Sequence, residues 1–189
     1  MTTVNYQVDG NNDDAYESGN DTGFNATENV RHDSNAAASG RTLAGHRFTS
    51  VAVPKDAQII TATLQLRPVS ASFDDANFDI HAEDVDDAVD FAANADVTNR
   101  VLTTASVAWV ADGLGTNFVS SPELKTVIQE IVDRASWASG NDLMIICKGK
   151  TDVTKILISH AHDADAPNAA KLDITYATIR KRSFTRAIL

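Results

Sequence analysis

The sequence predicts an all-β sandwich or barrel carrying one amphipathic helix. Two positive observations and one absence predict it. About seven or eight short runs are rich in β-branched or alternating residues, and Gly, Asp, Asn and Pro turns separate them. Only one stretch, SSPELKTVIQEIVDRASWASGNDL (120–143), has the 3.6-residue period of a well-made helix. No strand–helix alternation marks a parallel α/β sheet.

The strands follow in order. VNYQV (4–8) alternates and opens the chain. RFTSVAV (47–53) is ended by the turn signal Pro54-Lys55-Asp56. IITATLQLRPV (59–69) sets Ile60, Ala62, Leu64 and Leu66 against Thr61, Thr63, Gln65 and Arg67, which predicts one buried face and one wet face. FDIHAEDV (78–85), VLTTASVAWV (101–110), DLMIICKGK (142–150), TKILISHAH (154–162) and AKLDITYATI (170–179) complete the set. DDAVDFAANADV (86–97) reads as a short helical turn or a loop. The chain divides into an N-terminal strand with polar loops or an arm (1–45), a sandwich body (46–178) and a basic-apolar tail (179–189).

The helix is expected over residues 121–134. Ser121 suits the N-cap, Pro122 the first turn, and Glu123 the positive end of the dipole. Leu124, Val127, Ile128, Ile131 and Val132 form one apolar stripe, with Lys125, Gln129, Glu130 and Asp133 outside it. Such a helix lies on a sheet or caps a sandwich end, and Trp137 is expected to pack beside it.

Composition narrows the function classes. The chain has 189 residues, 43% hydrophobic, enough for one domain with its own core. A net charge of -10 argues against nucleic-acid binding through a general basic surface. The longest apolar runs, LMIIC and ILIS, are far shorter than a membrane helix, so the chain reads as soluble, with no membrane partner. MTTVNYQVDGNNDD has neither the basic nor the apolar region of a signal peptide, and the expectation is synthesis in a host cytoplasm without export. A single cysteine, Cys147, permits no intrachain disulfide and reads as a small buried side chain.

Several pieces taken together resemble a known family. SPELKTVIQEIVDRASWASGNDLMII, NNDDAYE (11–17), RFTSVAVPKDAQIITATLQL (47–66), IHAEDVDDAVDF (80–91), TTASVAW (103–109) and KLDITY (171–176) stand in the order found in DNRLRE modules. These are carbohydrate-binding-module-like β-sandwiches of large bacterial surface and secreted proteins. The resemblance runs from Asp13 to Tyr176 and implies a jelly-roll-like antiparallel sandwich with the helix on a sheet crossover.

Candidate chemistry is sparse. ILISHAHDAD (156–165) places His160 and His162 after an apolar strand, as in a His-x-His-x-Asp-His metal motif. Ala164 and Asp165 then stand where Asp and His are required. His160 and His162 with Asp163 or Asp165 remain a simpler metal candidate beside the reading of a solvated strand end. Asp13, Asp14 and Glu17 offer hard oxygen ligands for a structural calcium ion, beside the reading of turn-forming acids. The carboxylates of AEDVDDAVD (82–90) read as a solvated acidic edge. No Ser-His-Asp signature, Walker loop, Rossmann glycine pattern or paired-cysteine motif is present. No other cofactor is expected.

These features lead to the expectation of a non-enzymatic structural component of a bacteriophage virion, a capsid decoration or cement protein. The alternative is a tail, neck or fibre-associated receptor- or carbohydrate-binding module. Its partners would be copies of itself, in a trimer for example, and major capsid or tail proteins. The tail residues Arg180, Lys181, Arg182, Phe184, Arg186, Ile188 and Leu189 alternate cationic and apolar character and are read as the partner-binding arm.

Overall fold

A computed structural model describes residues 1–18, 29–34, 42–70, 76–93, 96–111, 115–151 and 155–178. The chain folds as an antiparallel β-sandwich, with two short α-helices and one 3-10 turn (Ala166–Asn168) among the described residues. Its strands are β1 (Thr2–Gln7), β2 (Asp14–Ser18), β3 (Val30–Ser34), β4 (Thr42–Phe48), β5 (Gln58–Leu66), β6 (Ala76–Ala82), β7 (Val107–Ala111), β8 (Val119–Ser120), β9 (Leu143–Gly149), β10 (Lys155–Ser159) and β11 (Lys171–Ala177). Helix α1 spans Lys125–Val132, and a one-turn helix α2 spans His162–Asp165.

One layer is the five-stranded sheet β2-β4-β9-β6-β7. The other is the four-stranded sheet β1-β11-β5-β8, prolonged by a two-stranded ribbon of β10 and β3. The ribbon joins the end of β5 through a Pro68–Ser159 bridge and a hydrogen bond from Val69 N–H to the Ile158 carbonyl, 3.0 Å. Ala62, Leu64, Leu66, Leu172 and Ile174 from one layer meet Ala44, Phe48, Phe78, Ile80 and Ile145 from the other in one buried core.

Residues 1–45 give more than the expected strand and loops. β1, β2 and β3 all lie within them, and Ala15, Val30 and Leu43 are buried. In β5 the predicted alternation holds from Ala62 to Leu66, but Ile59 rather than Ile60 is buried at its start. The register shifts between Thr175 and Tyr176 of the neighbouring β11, and an extra residue at such a bulge reverses the faces beyond it. One further strand is displaced from its expected place and another is shorter than expected. β4 runs over Thr42–Phe48 and not 47–53, and of the run 101–110 only its end enters a strand, β7, which pairs with β6 and continues to Ala111. Residues 86–93 and 96–97 are non-helical; 94–95 lie outside the described residues.

The helix starts later than predicted. Ser121 is held to β5 instead: its N–H donates to the Leu64 carbonyl (2.7 Å) and its Oγ accepts the Leu64 N–H (3.0 Å). Leu124 N–H donates to the Ala62 carbonyl (2.8 Å), so this segment continues strand-like bonding before it can turn. Glu123 still serves the helix start, its Oε1 accepting the Lys125 N–H at 2.9 Å. Val127, Ile128, Ile131 and Val132 are buried as the stripe predicts. Trp137 packs beside them, its indole N–H donating to the Val53 carbonyl at 3.0 Å.

Two glycines mark close approaches. A Cβ on Gly45 would lie 2.2 Å from Phe91 Cζ, and one on Gly149 would lie 1.7 Å from the Asp33 carbonyl oxygen. The second obstacle is backbone and has no rotamer through which to escape. Gly149→Ala is therefore expected to destabilise by roughly 1–3 kcal/mol or more, as overpacking does. The check is a lower urea midpoint with an unchanged m-value.

Candidate functional site

The segment 83–103 leaves β6 at Ala82 and returns to β7, crossing the outer face of the five-stranded sheet. Its apolar residues Ala88, Phe91 and Val97 bury against Ala15, Leu43, Met144 and Ile146. This makes a second, smaller core on the far side of the sheet. The AEDVDDAVD carboxylates open this strap, and the expectation of a solvated acidic edge holds in part: Asp87 and Asp90 are exposed, whereas Glu83, Asp84 and Asp86 are paired. Arginines take up most of them.

Arg100 has a side chain only 5% exposed. It binds Glu83 (2.9 Å) and Asp96 (3.1 Å) and donates to the carbonyls of Val89 and Asp90, both at 3.0 Å. Its guanidinium also lies 5.0 Å from the centre of the Phe91 ring. Arg134, just past α1, holds Asp84 and Asp86. Arg47 on β4 binds Asp13 and Asp142 and donates to the Ala88 carbonyl at 2.9 Å. Asp87 accepts the Asp142 N–H at 2.8 Å. A planar five-donor fork can tie several acceptors at once, which is why arginine rather than lysine suits these places. Burial raises the Glu83 pKa, and the Arg100 charge pulls it back down.

The strap also frames an open pocket of about 360 Å³, lined by Glu83, Asp84, Val89, Asp96, Arg100 and Val101 among others. Val89 and Val101 stand 65% and 66% exposed at it. Its lining carboxylates are paired, Glu83 and Asp96 with Arg100 and Asp84 with Arg134.

The structure does not bring the calcium candidates together. Asp13 is bound to Arg47. Asp14 and Glu17 lie three apart on β2, and strand alternation sends them to opposite faces. Asp14 Oδ2 accepts the His162 N–H (2.9 Å), and Glu17 Oε2 accepts the Thr98 N–H (2.8 Å) on the strap. All three are buried. Burial pushes the Asp14 pKa up to about 7 and raises that of Asp13. They act as structural acceptors.

The histidine motif also separates. His160 Nδ1 faces Asp165 Oδ2 at 3.6 Å, whereas His162 Nδ1 lies 3.0 Å from Asn11 Oδ1. Among the described residues no three His, Cys, Asp or Glu side chains gather in a metal-holding group. Cys147 is buried, with its thiol pKa raised by desolvation. The tail residues Arg180, Lys181, Arg182, Phe184, Arg186, Ile188 and Leu189 lie outside the described residues. Among the described residues no helix is long and apolar enough to cross a membrane.

Sequence reasoning missed Arg47, Arg100 and Arg134. Each stands singly in the sequence, and nothing in the local pattern pairs it with acids up to 95 residues away. Removing Arg100 would leave Glu83 buried without its cation. Arg100→Met is expected to cost about 3–5 kcal/mol, the usual result of breaking a buried pair from one side. The double variant Arg100→Met with Glu83→Gln should recover part of the loss in chemical denaturation.

No protein-family model matches the sequence, and no curated protein matches it.

Proposed function

We propose that this chain is a structural, non-catalytic component of a bacteriophage particle, a decoration or cement protein of the capsid. The observation that carries this reading is how the charged groups are used. Arg47, Arg100 and Arg134 bind acids and carbonyls of the same chain, bracing a sandwich instead of converging on a reacting atom. Catalysis needs polarity held out of register with itself and aimed at a substrate. Here the described ionic groups hold the fold.

The resemblance to DNRLRE modules supports a module that works by contact. The tryptophans and tyrosines weigh against the carbohydrate-binding alternative. Trp109, Trp137 and Tyr176 are buried, and Tyr6 and Tyr16 pack against the same core. A sugar platform needs such rings in the open.

The charge distribution supports assembly through the tail. The tail's four cations and no acids, in a chain of net charge -10, leave -14 on residues 1–178. Near the end of β11, which precedes the tail in sequence, Tyr176 pairs with Thr2 at the start of β1. β1 is an outer strand of its sheet, and Thr2–Gln7 contains no charge to discourage an added strand.

The test is to localise the chain on purified particles by electron microscopy with quantitative mass spectrometry. Many symmetrically placed copies on the capsid support decoration. A few copies at one vertex move the protein to the tail or neck, and absence from particles rejects the reading. Separately, deletion of residues 179–189 is expected to weaken self-association or particle binding at least tenfold in sedimentation. It should leave the thermal midpoint of the body unchanged.

A further inference from the structure

Two histidines that the proposed function does not use meet at the centre of the sandwich. His32, on β3 of the ribbon, is 1% exposed, and His46, on β4 of the five-stranded sheet, is fully buried. Their rings stack across the two layers, with centroids 5.3 Å apart and planes 23° from parallel. His32 also stacks on Phe78 at 5.6 Å, and Phe78 meets the edge of Trp109 at 5.3 Å. His32 Nε2 pairs with Ser159 Oγ at 3.0 Å. Among the described residues, His32 Nδ1 and both ring nitrogens of His46 have no hydrogen-bond partner.

Buried polar atoms without partners are rare, and three on two touching rings call for an account. Neutral imidazoles stack as flat, mostly apolar discs. A proton on either would place a cation against the other ring and the apolar side chains around it, and among the described residues no acceptor bonds His46. The cost falls on the seam between the ribbon and the sheet, because one ring belongs to each. The ribbon is also the smaller body, two strands of five residues each.

We propose that the stacked His32–His46 pair is a proton-sensitive clasp, which lets the β3–β10 ribbon part from the five-stranded sheet as the solution becomes mildly acidic. Released, both imidazoles regain water and bind protons.

The sign follows from linkage. Burial lowers both histidine pKa values, that of His46 to about 3, and His46 lowers that of His32 further. The open state therefore binds more protons than the closed one at pH values below about 6.5, and closure weakens as pH falls. Groups around the pair modify this. Asp14 of β2 stands opposite His46 in the strand register, with Asp163 of α2 acting on it electrostatically. Cys147 of β9 lies two residues beyond Ile145, the register partner of His46, and Ser159 of β10 touches His32. Arg31 and Asp33 flank His32 on β3 and pair with each other at 2.5 Å. Burial raises Asp14 to about 7 and Asp33 to about 6. Both hold protons in the folded state that the unfolded chain gives up above about pH 4, so they oppose the histidines over the same window. The clasp is therefore read as a difference between variants and not from the wild-type profile alone.

Hydrogen exchange read by mass spectrometry from pH 7 to 4.5, corrected for intrinsic rates, tests the clasp in the full chain. The opening equilibrium of segments 30–34 and 155–159 is compared with that of β4 and β9. With both histidines titrating, the wild-type opening constant should gain up to about 100-fold per pH unit over His32→Gln/His46→Gln, a factor of about ten for each proton. β4 and β9 should stay protected while the ribbon exchanges. If the glutamine pair does not fold, His32→Phe/His46→Leu replaces it. Trp109 fluorescence gives a second reading, since Trp109 is linked to His32 through Phe78. Equal pH dependence in wild type and variant overturns the proposal, as does ribbon exchange in step with β4 and β9.

Discussion

The five-stranded sheet has to be covered on both faces, and most of the structure follows from that constraint. Strand β9 shows it most directly. Leu143, Met144, Ile145, Ile146 and Cys147 are all buried, so consecutive side chains on opposite faces are both removed from water. The inner face meets the second layer and α1. Among the described residues the outer face meets no second sheet, and the strap covers it with Ala88, Phe91 and Val97. Gly45 is part of the same solution, because Phe91 occupies the space where a side chain at 45 would stand. A continuous apolar strand run of this kind belongs with two-sided burial, not with alternation.

A strap without regular hydrogen bonding has to find partners for its own polar groups. Arginine supplies them. Arg100 closes the strap on itself, Arg47 ties it to β4, and Arg134 ties it to the end of α1. Each guanidinium serves acids and, in two cases, backbone carbonyls that loop geometry leaves open. An acidic chain of net charge -10 thus keeps a closely spaced group of carboxylates near its surface without their repulsion opening the loop. Pairs of this kind give more to specificity of arrangement than to stability, since desolvation offsets much of the Coulomb gain.

The interior has a different polar feature. His32 and His46 lie where two layers meet and gain little from hydrogen bonding. Asp14, opposite His46 in register, is spared full ionisation by its own burial. The sandwich core is therefore apolar over most of its extent and proton-responsive at one seam. The same seam joins the ribbon to the larger sheet.

Much of the fold was legible in the residues. Short alternating or β-branched runs and turn signals indicated an antiparallel sandwich, and the stripe from Leu124 to Val132 indicated the helix, because both patterns express local geometry with fixed periods. The start of α1 was not legible. Ser121 has the chemistry of an N-cap, yet Leu64, distant in sequence, claims both its hydroxyl and its amide. The bulge that exchanges Ile59 for Ile60 depends on the register with β11, which no local pattern encodes. The candidate ligands Asp13, Asp14 and Glu17 are near one another in sequence, and the strand separates them. By itself the sequence determined which segments extend, which one coils and how acidic the whole is. Only the tertiary structure decided which arginine meets which acid and which two histidines touch. Those partners are brought together by strand register and layer packing, interactions that act across the chain and leave no trace in neighbouring residues.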